Sequence, residues 1–304
     1  MADTLSVNIG SLKIDSPVIV ASGVWPYNED FWSAGRLEGI GAICTKAISF
    51  APRSGNEGCR IWETPSGLLN SIGLQNCGVD SFMQSYSELV SMCPVPVIAN
   101  VVMESESDTR ETLKRLNGLE NLAAVELNVS CPNVDGDGMA WGTEACSAAK
   151  AVAIARKVWP GRLWVKMTPQ AADVQAVAKA IESEGADVLV SANTWLGMSM
   201  DMMKGKPAFS RRIAGLSGPA IFPLSLRIVW DICDVVKIPV VGCGGVSSAD
   251  DCAAMILAGA SAVEVGTAFF KNIDSGKRIC NELPALLRRY NINSLQDMNG
   301  MARK

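Results

Sequence analysis

The sequence predicts a (β/α)8 TIM barrel, in which eight parallel strands alternate with helices. Eight short apolar or β-branched segments recur along the chain, and helical patterns separate most of them. The 304 residues also suit the roughly 250 residues that a barrel usually takes. A doubly wound open sheet is the alternative, because the number of strands is difficult to fix from one sequence. No repeat, linker or low-complexity segment divides the chain, so we expect residues 1–304 to form one domain.

The predicted strands span residues 17–21, 41–47, 95–102, 123–129, 163–168, 187–192, 238–242 and 262–266. The predicted helices span residues 80–92, 108–116, 144–158, 171–183, 223–236 and 248–258, several with a polar cap or a following glycine.

Three connections, 48–79, 130–143 and 194–222, follow strands and are too long for simple turns. Loops of this length inside a compact domain are usually lids or binding loops.

Composition excludes several classes of function. A net charge of -4 provides no basic surface for nucleic acid. Charged residues interrupt the N-terminal apolar residues, and no run of 18 apolar residues occurs, so we expect a cytoplasmic protein that does not enter the membrane. The chain has no histidine, which removes Ser-His-Asp and Cys-His catalysis and every His-ligated metal. Its ten cysteines show no C-x-x-C spacing, so we expect reduced thiols and no metal site.

One cysteine has unusual neighbours. Residues 126–133, Glu-Leu-Asn-Val-Ser-Cys-Pro-Asn, close a predicted buried strand with a thiol, a proline and two amides. Pro132 cannot continue a central strand, so Cys131 falls on the first turn beyond it. A random cysteine is most often core filler. Here the amides of Asn128 and Asn133 favour a binding site, because two buried amides are costly without a ligand or a dense hydrogen-bond network.

Glycines follow the last two predicted strands, at Gly242–Gly245 and at Gly266. Glycines can simply permit tight turns. In barrels, however, the loops after strands seven and eight often hold a phosphate through backbone amides and a helix N-terminus. Glycines after both strands therefore favour a phosphate site.

Lysines and asparagines occupy further predicted strand ends. Lys46 and Lys166 lie among apolar residues, and lysine is almost never buried without a partner. Either lysine could stabilise an anionic reduced flavin, form a salt bridge within the barrel, or act as the Schiff-base lysine of an aldolase. Asn100, Asn128 and Asn193 lie at or beyond the ends of strands three, four and six, where amides suit a planar heterocycle.

These residues resemble class 1 dihydroorotate dehydrogenases over essentially the whole chain. The matching segments include residues 69–76 (Leu-Asn-Ser-Ile-Gly-Leu-Gln-Asn), 126–133 and 215–220 (Gly-Leu-Ser-Gly-Pro-Ala), with shorter matches at 45–47, 52–56, 63–65, 99–101, 165–166, 193–194, 244–246 and 265–267. Cysteine rather than serine at position 131 separates the chain from the membrane-associated class 2 enzymes, which also carry an N-terminal extension missing here. The loop at 133–143 is closest to subtype 1B.

The resemblance implies oxidation of dihydroorotate to orotate in pyrimidine biosynthesis, with FMN as hydride acceptor and Cys131 as general base. It implies that the substrate contacts Lys46, Asn70, Ser71, Ile72, Gly73, Leu74, Asn128, Asn133, Asn193 and Thr194. It implies that FMN contacts Ala21, Ser22, Lys46, Ala47, Asn100, Asn128, Lys166, Ala192, Gly218, Gly244, Gly245, Gly266 and Thr267. The family resemblance implies a homodimer, and subtype 1B implies an electron-transfer subunit that carries FAD and a 2Fe-2S cluster and passes electrons to NAD.

The chain departs from the family pattern at Cys77, at Gln170 and at residues 25–28, which affects loop shape and the electron acceptor more than the chemistry. The alternative enzymes are a dihydropyrimidine dehydrogenase-like flavoprotein acting on uracil-type rings and a Schiff-base aldolase using Lys166. A barrel kept only as a binding or scaffold protein would have lost Cys131 or the lysines, and all are present.

Overall fold

The computed structural model describes residues 2–130 and 141–304. Within them the strands are β1 (Val7–Ile9), β2 (Leu12–Ile14), β3 (Val18–Val20), β4 (Ala42–Cys44), β5 (Ile61–Thr64), β6 (Gly67–Asn70), β7 (Val97–Val102), β8 (Leu122–Asn128), β9 (Leu163–Lys166), β10 (Val188–Ser191), β11 (Trp195–Met198), β12 (Met200–Asp201), β13 (Lys206–Pro207), β14 (Ile213–Ser217), β15 (Val240–Cys243) and β16 (Ala262–Val265).

The helices of the same residues are α1 (Ala2–Leu5), α2 (Gly78–Ser91), α3 (Glu106–Leu116), α4 (Ala145–Arg156), α5 (Val174–Ser183), α6 (Phe222–Cys233), α7 (Ala249–Leu257), α8 (Thr267–Lys271), α9 (Ser275–Arg289) and α10 (Leu295–Met298). Short 3-10 turns lie at Glu29–Trp32, Pro219–Ile221 and Met301–Arg303. No helix in the described part of the chain has the length and apolar character needed to cross a bilayer.

Eight of the strands close into a parallel barrel in the order β3-β4-β7-β8-β9-β10-β15-β16. Every residue of β7 and β9 is buried, because helices cover the outside of the barrel while side chains fill its interior. The predicted (β/α)8 barrel is therefore confirmed, and the open-sheet alternative is wrong. All eight predicted strand segments coincide with barrel strands, although most observed strands are shorter.

The predicted helices are present with shifted ends. The start of α5 moves from the predicted residue 171 to Val174, because the Asp173 side chain accepts a hydrogen bond from the Ala176 amide at 2.9 Å and caps the helix there. The first barrel strand is followed by the 3-10 turn at Glu29–Trp32 instead of a helix. Trp25 Nε1 donates to the Phe31 carbonyl at 2.9 Å, which fixes this turn against the barrel.

A hairpin, β1–β2, lies at the N-terminal end of the barrel and was not predicted. Its strands pair antiparallel with Val7 opposite Ile14, and its buried residues alternate with exposed ones. The hairpin touches the barrel where strands begin, since Arg162, just before β9, donates from Nε to Ser11 Oγ at 2.8 Å. The alternating sequence Val-Asn-Ile-Gly-Ser-Leu-Lys-Ile was the available signal for it. Helix α9 was also missed.

Two of the long connections pair with each other across the opposite, C-terminal end of the barrel. Strands β5, β6, β14 and β11 form an antiparallel sheet, which we call the mouth sheet. Its central pairing joins β6 to β14, with Asn70 opposite Gly215. Leu69, Phe209 and Ala214 form a small core of their own beneath it. The prediction that these connections are loops was therefore incomplete, because each contributes strands.

Candidate functional site

A cavity of about 690 Å³ lies between the C-terminal ends of the barrel strands and the mouth sheet. This is the end of a barrel at which loops build active sites. The cavity's volume falls within the range of 300–1,000 Å³ that is typical of small-molecule sites. Barrel strands contribute one wall of the cavity, and residues of β5, β6, β11 and β14 contribute the other.

The structure brings nearly all of the predicted site residues to this cavity. Those that line it are Ala21, Ser22, Lys46, Ala47, Asn70, Ser71, Ile72, Gly73, Leu74, Asn128, Lys166, Ala192, Asn193, Thr194, Gly218, Gly244, Gly245, Gly266 and Thr267. Cys131 and Asn133 lie outside the described residues. Their roles, like those of the lining residues, stay predictions.

Asn100 is the predicted residue that the structure does not place on the cavity wall. The prediction that it ends a strand is wrong, because β7 continues to Val102 and Asn100 lies fully buried within it. Its Nδ2 donates to Glu126 Oε1 at 2.5 Å. Its Oδ1 has no hydrogen-bond partner among the described residues, which leaves one buried acceptor free for a ligand or a water.

Three glycines hold the loops at one end of the cavity. Gly218, Gly244 and Gly245 have positive φ angles of 97°, 127° and 81°, a region that side chains rarely adopt. A Cβ atom on Gly245 would lie 2.6 Å from the Phe222 amide nitrogen, at the start of α6. The backbone therefore passes close to a helix N-terminus, as an anion-binding cradle requires. Thr267, whose Oγ1 donates to Ser217 Oγ at 2.7 Å, lies beside it.

Amide and hydroxyl groups meet at the end of β8. Asn128 Oδ1 accepts hydrogen bonds from the Ser130 amide at 3.1 Å and from Ser130 Oγ at 2.5 Å. Asn193 Nδ2 donates to Ser130 Oγ, and the Thr194 amide donates to Asn193 Oδ1 at 2.7 Å. This network fixes the chain up to Ser130, immediately before Cys131. It also presents donors and acceptors to a polar ring.

Lys46 lines the cavity as a half-buried cation. Burial lowers the pKa of its ammonium group, and no carboxylate of residues 2–130 and 141–304 forms an ion pair with it. A Cβ on Gly23 would lie 3.2 Å from its Nζ, so the side chain is confined between the loops after β3 and β4. An anionic ligand would supply the missing counter-charge.

Lys166 is surrounded by negative charge. Its Nζ lies 2.5 Å from Glu264 Oε2 and 3.6 Å from Glu126 Oε1, and both glutamates are buried. Burial acts to lower the pKa of Lys166, but the two carboxyl groups outweigh it and raise that pKa well above its usual value. The salt-bridged interpretation of this lysine is therefore correct, and it coexists with a position on the cavity wall.

Comparison with known proteins identifies the family. The family model for dihydroorotate dehydrogenase matches residues 4–287. The chain belongs to the dihydroorotate dehydrogenase family. It is 41% identical over 304 residues to a protein of Solidesulfovibrio magneticus named dihydroorotate dehydrogenase B (NAD(+)), catalytic subunit, a match that covers 100% of this chain and 99% of that protein.

A second named relative agrees with this assignment, and a solved structure agrees with the fold. A protein of the same name from Trichlorobacter lovleyi is 42% identical over 300 residues, covering 99% of both chains. A crystal structure of Eimeria tenella DHODH in complex with ferulenol matches with a TM-score of 0.84 and 21% identity, covering 99% of this chain and 89% of that one. At that identity the structural match supports the barrel fold alone.

Several residues that line the cavity were not among the predicted site residues, including Asn56, Ser130, Gln170 and Arg211. Asn56 had a signal, because it closes the matched segment 52–56. Its Nδ2 donates to Ser71 Oγ at 2.9 Å. Arg211 had none, because only the pairing of β14 with β6 brings its segment over the cavity.

Proposed function

We propose that this chain oxidises dihydroorotate to orotate in pyrimidine biosynthesis, with FMN as the hydride acceptor and Cys131 as the general base. One observation carries the proposal: a single cavity, in a chain with full-length similarity to named dihydroorotate dehydrogenases, collects two lysines and a set of amides and glycines. A planar, anionic heterocycle needs this combination of groups. We further propose that residues 1–304 act as one domain in this reaction.

The residues present fit FMN on two features of the structure. The positive-φ glycines Gly244 and Gly245 leave no room for side chains and suit a phosphate, and Asn100 Oδ1 is a buried acceptor without a partner among the described residues. Bound FMN would supply a two-electron acceptor for hydride. The residues that would hold it are Ala21, Ser22, Lys46, Ala47, Asn100, Asn128, Lys166, Ala192, Gly218, Gly244, Gly245, Gly266 and Thr267.

The substrate would be oriented by groups with different chemistry on its two sides. Lys46 and the backbone of residues 72–74 would bind the carboxylate of dihydroorotate. Asn70, Ser71, Asn128, Asn133, Asn193 and Thr194 would hydrogen-bond its ring. The Asn70 side chain is already fixed, because its Nδ2 donates to the Gly215 carbonyl at 3.1 Å. Binding would therefore cost little further ordering of this side chain.

Cys131 would remove a proton from C5 while C6 delivers hydride to the acceptor. The Asn128–Ser130–Asn193 network supports this role, because it anchors the residue that precedes the thiol at the cavity wall. A base placed in advance beside the reacting carbon lowers the entropic part of the barrier.

The electron acceptor would be NAD, reached through a second subunit. Relatives of this chain are named catalytic subunits of NAD(+)-type enzymes. We propose a homodimer paired with an electron-transfer subunit that carries FAD and a 2Fe-2S cluster, working in the cytoplasm.

The alternative functions have less support. Enzymes that act on uracil-type rings need no cation for a carboxylate, whereas Lys46 has no ion-pair partner among the described residues. A Schiff-base aldolase needs a neutral lysine, whereas Lys166 is held as an ammonium by two carboxyl groups.

The deciding experiment is an anaerobic visible spectrum of the purified chain before and after addition of dihydroorotate and, separately, dihydrouracil. We expect a flavin band that dihydroorotate alone bleaches. The Cys131→Ser variant should keep the band and bleach far more slowly. Bleaching by dihydrouracil instead would move the assignment to the uracil-type enzymes, and a colourless protein that does not take up FMN would refute the flavoenzyme proposal.

A further inference from the structure

The interior of the barrel contains a cluster of charged and polar groups directly below the cavity. Glu126 of β8 and Glu264 of β16 are 0% and 1% exposed, and Lys166 of β9 is 5% exposed. The thiol of Cys44, from β4, donates to Glu126 Oε1 at 3.3 Å, and Asn100 of β7 donates to the same oxygen. Five barrel strands therefore point polar groups at one another where apolar packing is usual.

One oxygen of each carboxyl group is left over. Glu126 Oε1 receives the donors described above, and Glu264 Oε2 receives Lys166. Glu126 Oε2 and Glu264 Oε1 have no hydrogen-bond partner among the described residues, although both are buried. Oxygen atoms of the two carboxyl groups and the Cys44 sulfur lie within 4.8 Å of one another. Two ionised carboxylates this close would repel each other, and each would leave a buried acceptor unsatisfied.

A proton shared by the two carboxyl groups removes both difficulties. It lets one carboxyl group donate a hydrogen bond to the other and reduces the charge of the two glutamates from two negative charges to one. That remaining charge balances the ammonium of Lys166, so the cluster becomes neutral. A metal ion is not needed for this balance, because Lys166 Nζ already occupies the position of a cation, 2.5 Å from Glu264.

We propose that Glu126 and Glu264 form a carboxyl pair that shares one proton. This pair positions Lys166 and determines the net charge of the cluster below the cavity, which we call the cavity floor. The two glutamates touch neither substrate nor acceptor in this assignment, and they act through Lys166. The consequence for electron transfer rests on the function proposed above, whereas the shared proton itself does not.

The other titratable groups around the pair favour a single proton. Burial and repulsion from Glu126 raise the pKa of Glu264 to about 8. Burial opposes ionisation of Glu126 as well, but Lys166 and the hydrogen bonds to it outweigh burial and lower its pKa. Cys44 and Cys243 face the same cluster, and burial raises the pKa of both thiols, so they stay protonated. Near neutral pH the carboxyl pair therefore has one proton and one negative charge.

The shared proton can be tested without any cofactor by infrared spectroscopy of protein labelled with 13C at its glutamate side chains. We expect a carbonyl stretch from a protonated carboxylic acid at pH 7, shifted by the label and lost in both Glu264→Gln and Glu126→Gln. Glu104→Gln is the matched control, because Glu104 is a buried glutamate whose side chain pairs with Arg53 and the Phe50 amide instead of with the carboxyl pair, and it should leave the band unchanged. Absence of the band in the unmodified protein would overturn the proposal without the need for any variant.

The effect on the cavity floor can be tested by the midpoint potential of bound FMN as a function of pH. Above about pH 8 the pair loses its proton, and reduction should then take up one extra proton. That is a tenfold change in equilibrium constant per pH unit, or about 30 mV for two electrons. Glu264→Gln should lack this extra slope and Glu104→Gln should keep it. Suppose that the potential has the same pH slope in the unmodified protein, Glu264→Gln and Glu104→Gln, while the unmodified protein shows the infrared band. That result would refute control of the FMN potential by the carboxyl pair and leave the proposed function intact.

Discussion

Two lysines reach the same cavity in opposite electrostatic surroundings. Lys166 has two buried carboxyl groups beside it, whereas Lys46 has no ion-pair partner among the described residues and has its pKa lowered by burial. The charge of Lys166 is already balanced within the unliganded protein. A cation without one gains a partner only when an anion binds.

Replacement of Lys46 by methionine should therefore weaken capture of the substrate. A hydrogen bond to a charged group contributes about 1.5–3 kcal/mol, so kcat/KM for dihydroorotate should fall about 10- to 150-fold. The measurement is the anaerobic reduction rate against substrate concentration. Lys114→Met, on the exposed surface of α3, is the control and should behave as the unmodified chain. An unchanged kcat/KM in Lys46→Met would remove this lysine from the substrate site.

Replacement of Lys166 by methionine should cost stability instead. It leaves a buried carboxyl pair without its cation, and loss of one partner of a buried ion pair costs about 3–5 kcal/mol. Urea unfolding of Lys166→Met measures this. A double variant that adds Glu126→Gln should regain part of the loss, because the remaining Glu264 can be neutral. No recovery in the double variant would show that packing, rather than charge, causes the loss.

The rate of flavin reduction should depend on the ionisation of Cys131. An unperturbed thiol has a pKa of about 8.5 and acts as a base only as the thiolate. The rate should therefore rise about tenfold per pH unit below the pKa of the thiol and level off above it. Stopped-flow reduction between pH 6 and pH 10 measures the profile, since loss of general base catalysis costs 10²–10⁴-fold. A rate that does not change with pH would argue against a thiol base.

At the scale of elements, most residues that line the cavity lie on the loops that follow the barrel strands. Strand ends could be placed from the sequence because apolar β-rich segments are buried on both faces in a parallel barrel. The mouth sheet could not, since β6 pairs with β14 across 145 residues and both strands are short. The buried glutamates had a usable signal, because Glu126 and Glu264 each stand inside an apolar strand segment.

Substitution of Gly245 by alanine should loosen the turn that leads into α6. Gly245 combines a φ of 81° with a Cβ position that would lie 2.6 Å from the Phe222 amide nitrogen, so the loop and the start of α6 must separate. We expect FMN affinity, measured by fluorescence titration, to fall by at least about tenfold, or 1.4 kcal/mol. Gly205→Ala is a matched control, because Gly205 also has a positive φ but has no atom within 4 Å of its Cβ position. Equal affinity in both variants would contradict a close-packed phosphate cradle.

At the scale of the whole molecule, the closed barrel and the approximate positions of its eight strands followed from periodicity, whereas the ends of most elements did not. Helix α9 was missed although its apolar residues Ile279, Leu283 and Leu287 are buried at helical spacing, because the interior Pro284 interrupts the pattern. The position of Cys131 stays a prediction, since it lies outside the described residues.

The purified chain alone should reduce an artificial dye but not NAD⁺. Relatives of this chain are named catalytic subunits of NAD(+)-type enzymes, which implies that a second subunit completes the path. Anaerobic assays with each acceptor measure this, with the chain alone and with a candidate electron-transfer subunit added. Reduction of NAD⁺ by the chain alone would exclude the proposed division of labour.

The pairing of β6 with β14 has a consequence for the construction of chimeric enzymes. The mouth sheet is assembled from residues 61–70 and 195–217, and Leu69, Phe209 and Ala214 of these two segments pack against one another. In a chimera that takes only one of these segments from a relative, the side chains of that segment would have to pack against the unchanged segment of this chain. The two segments should therefore be exchanged together, as a single cassette, whenever substrate preference is to be transferred between barrels of this family.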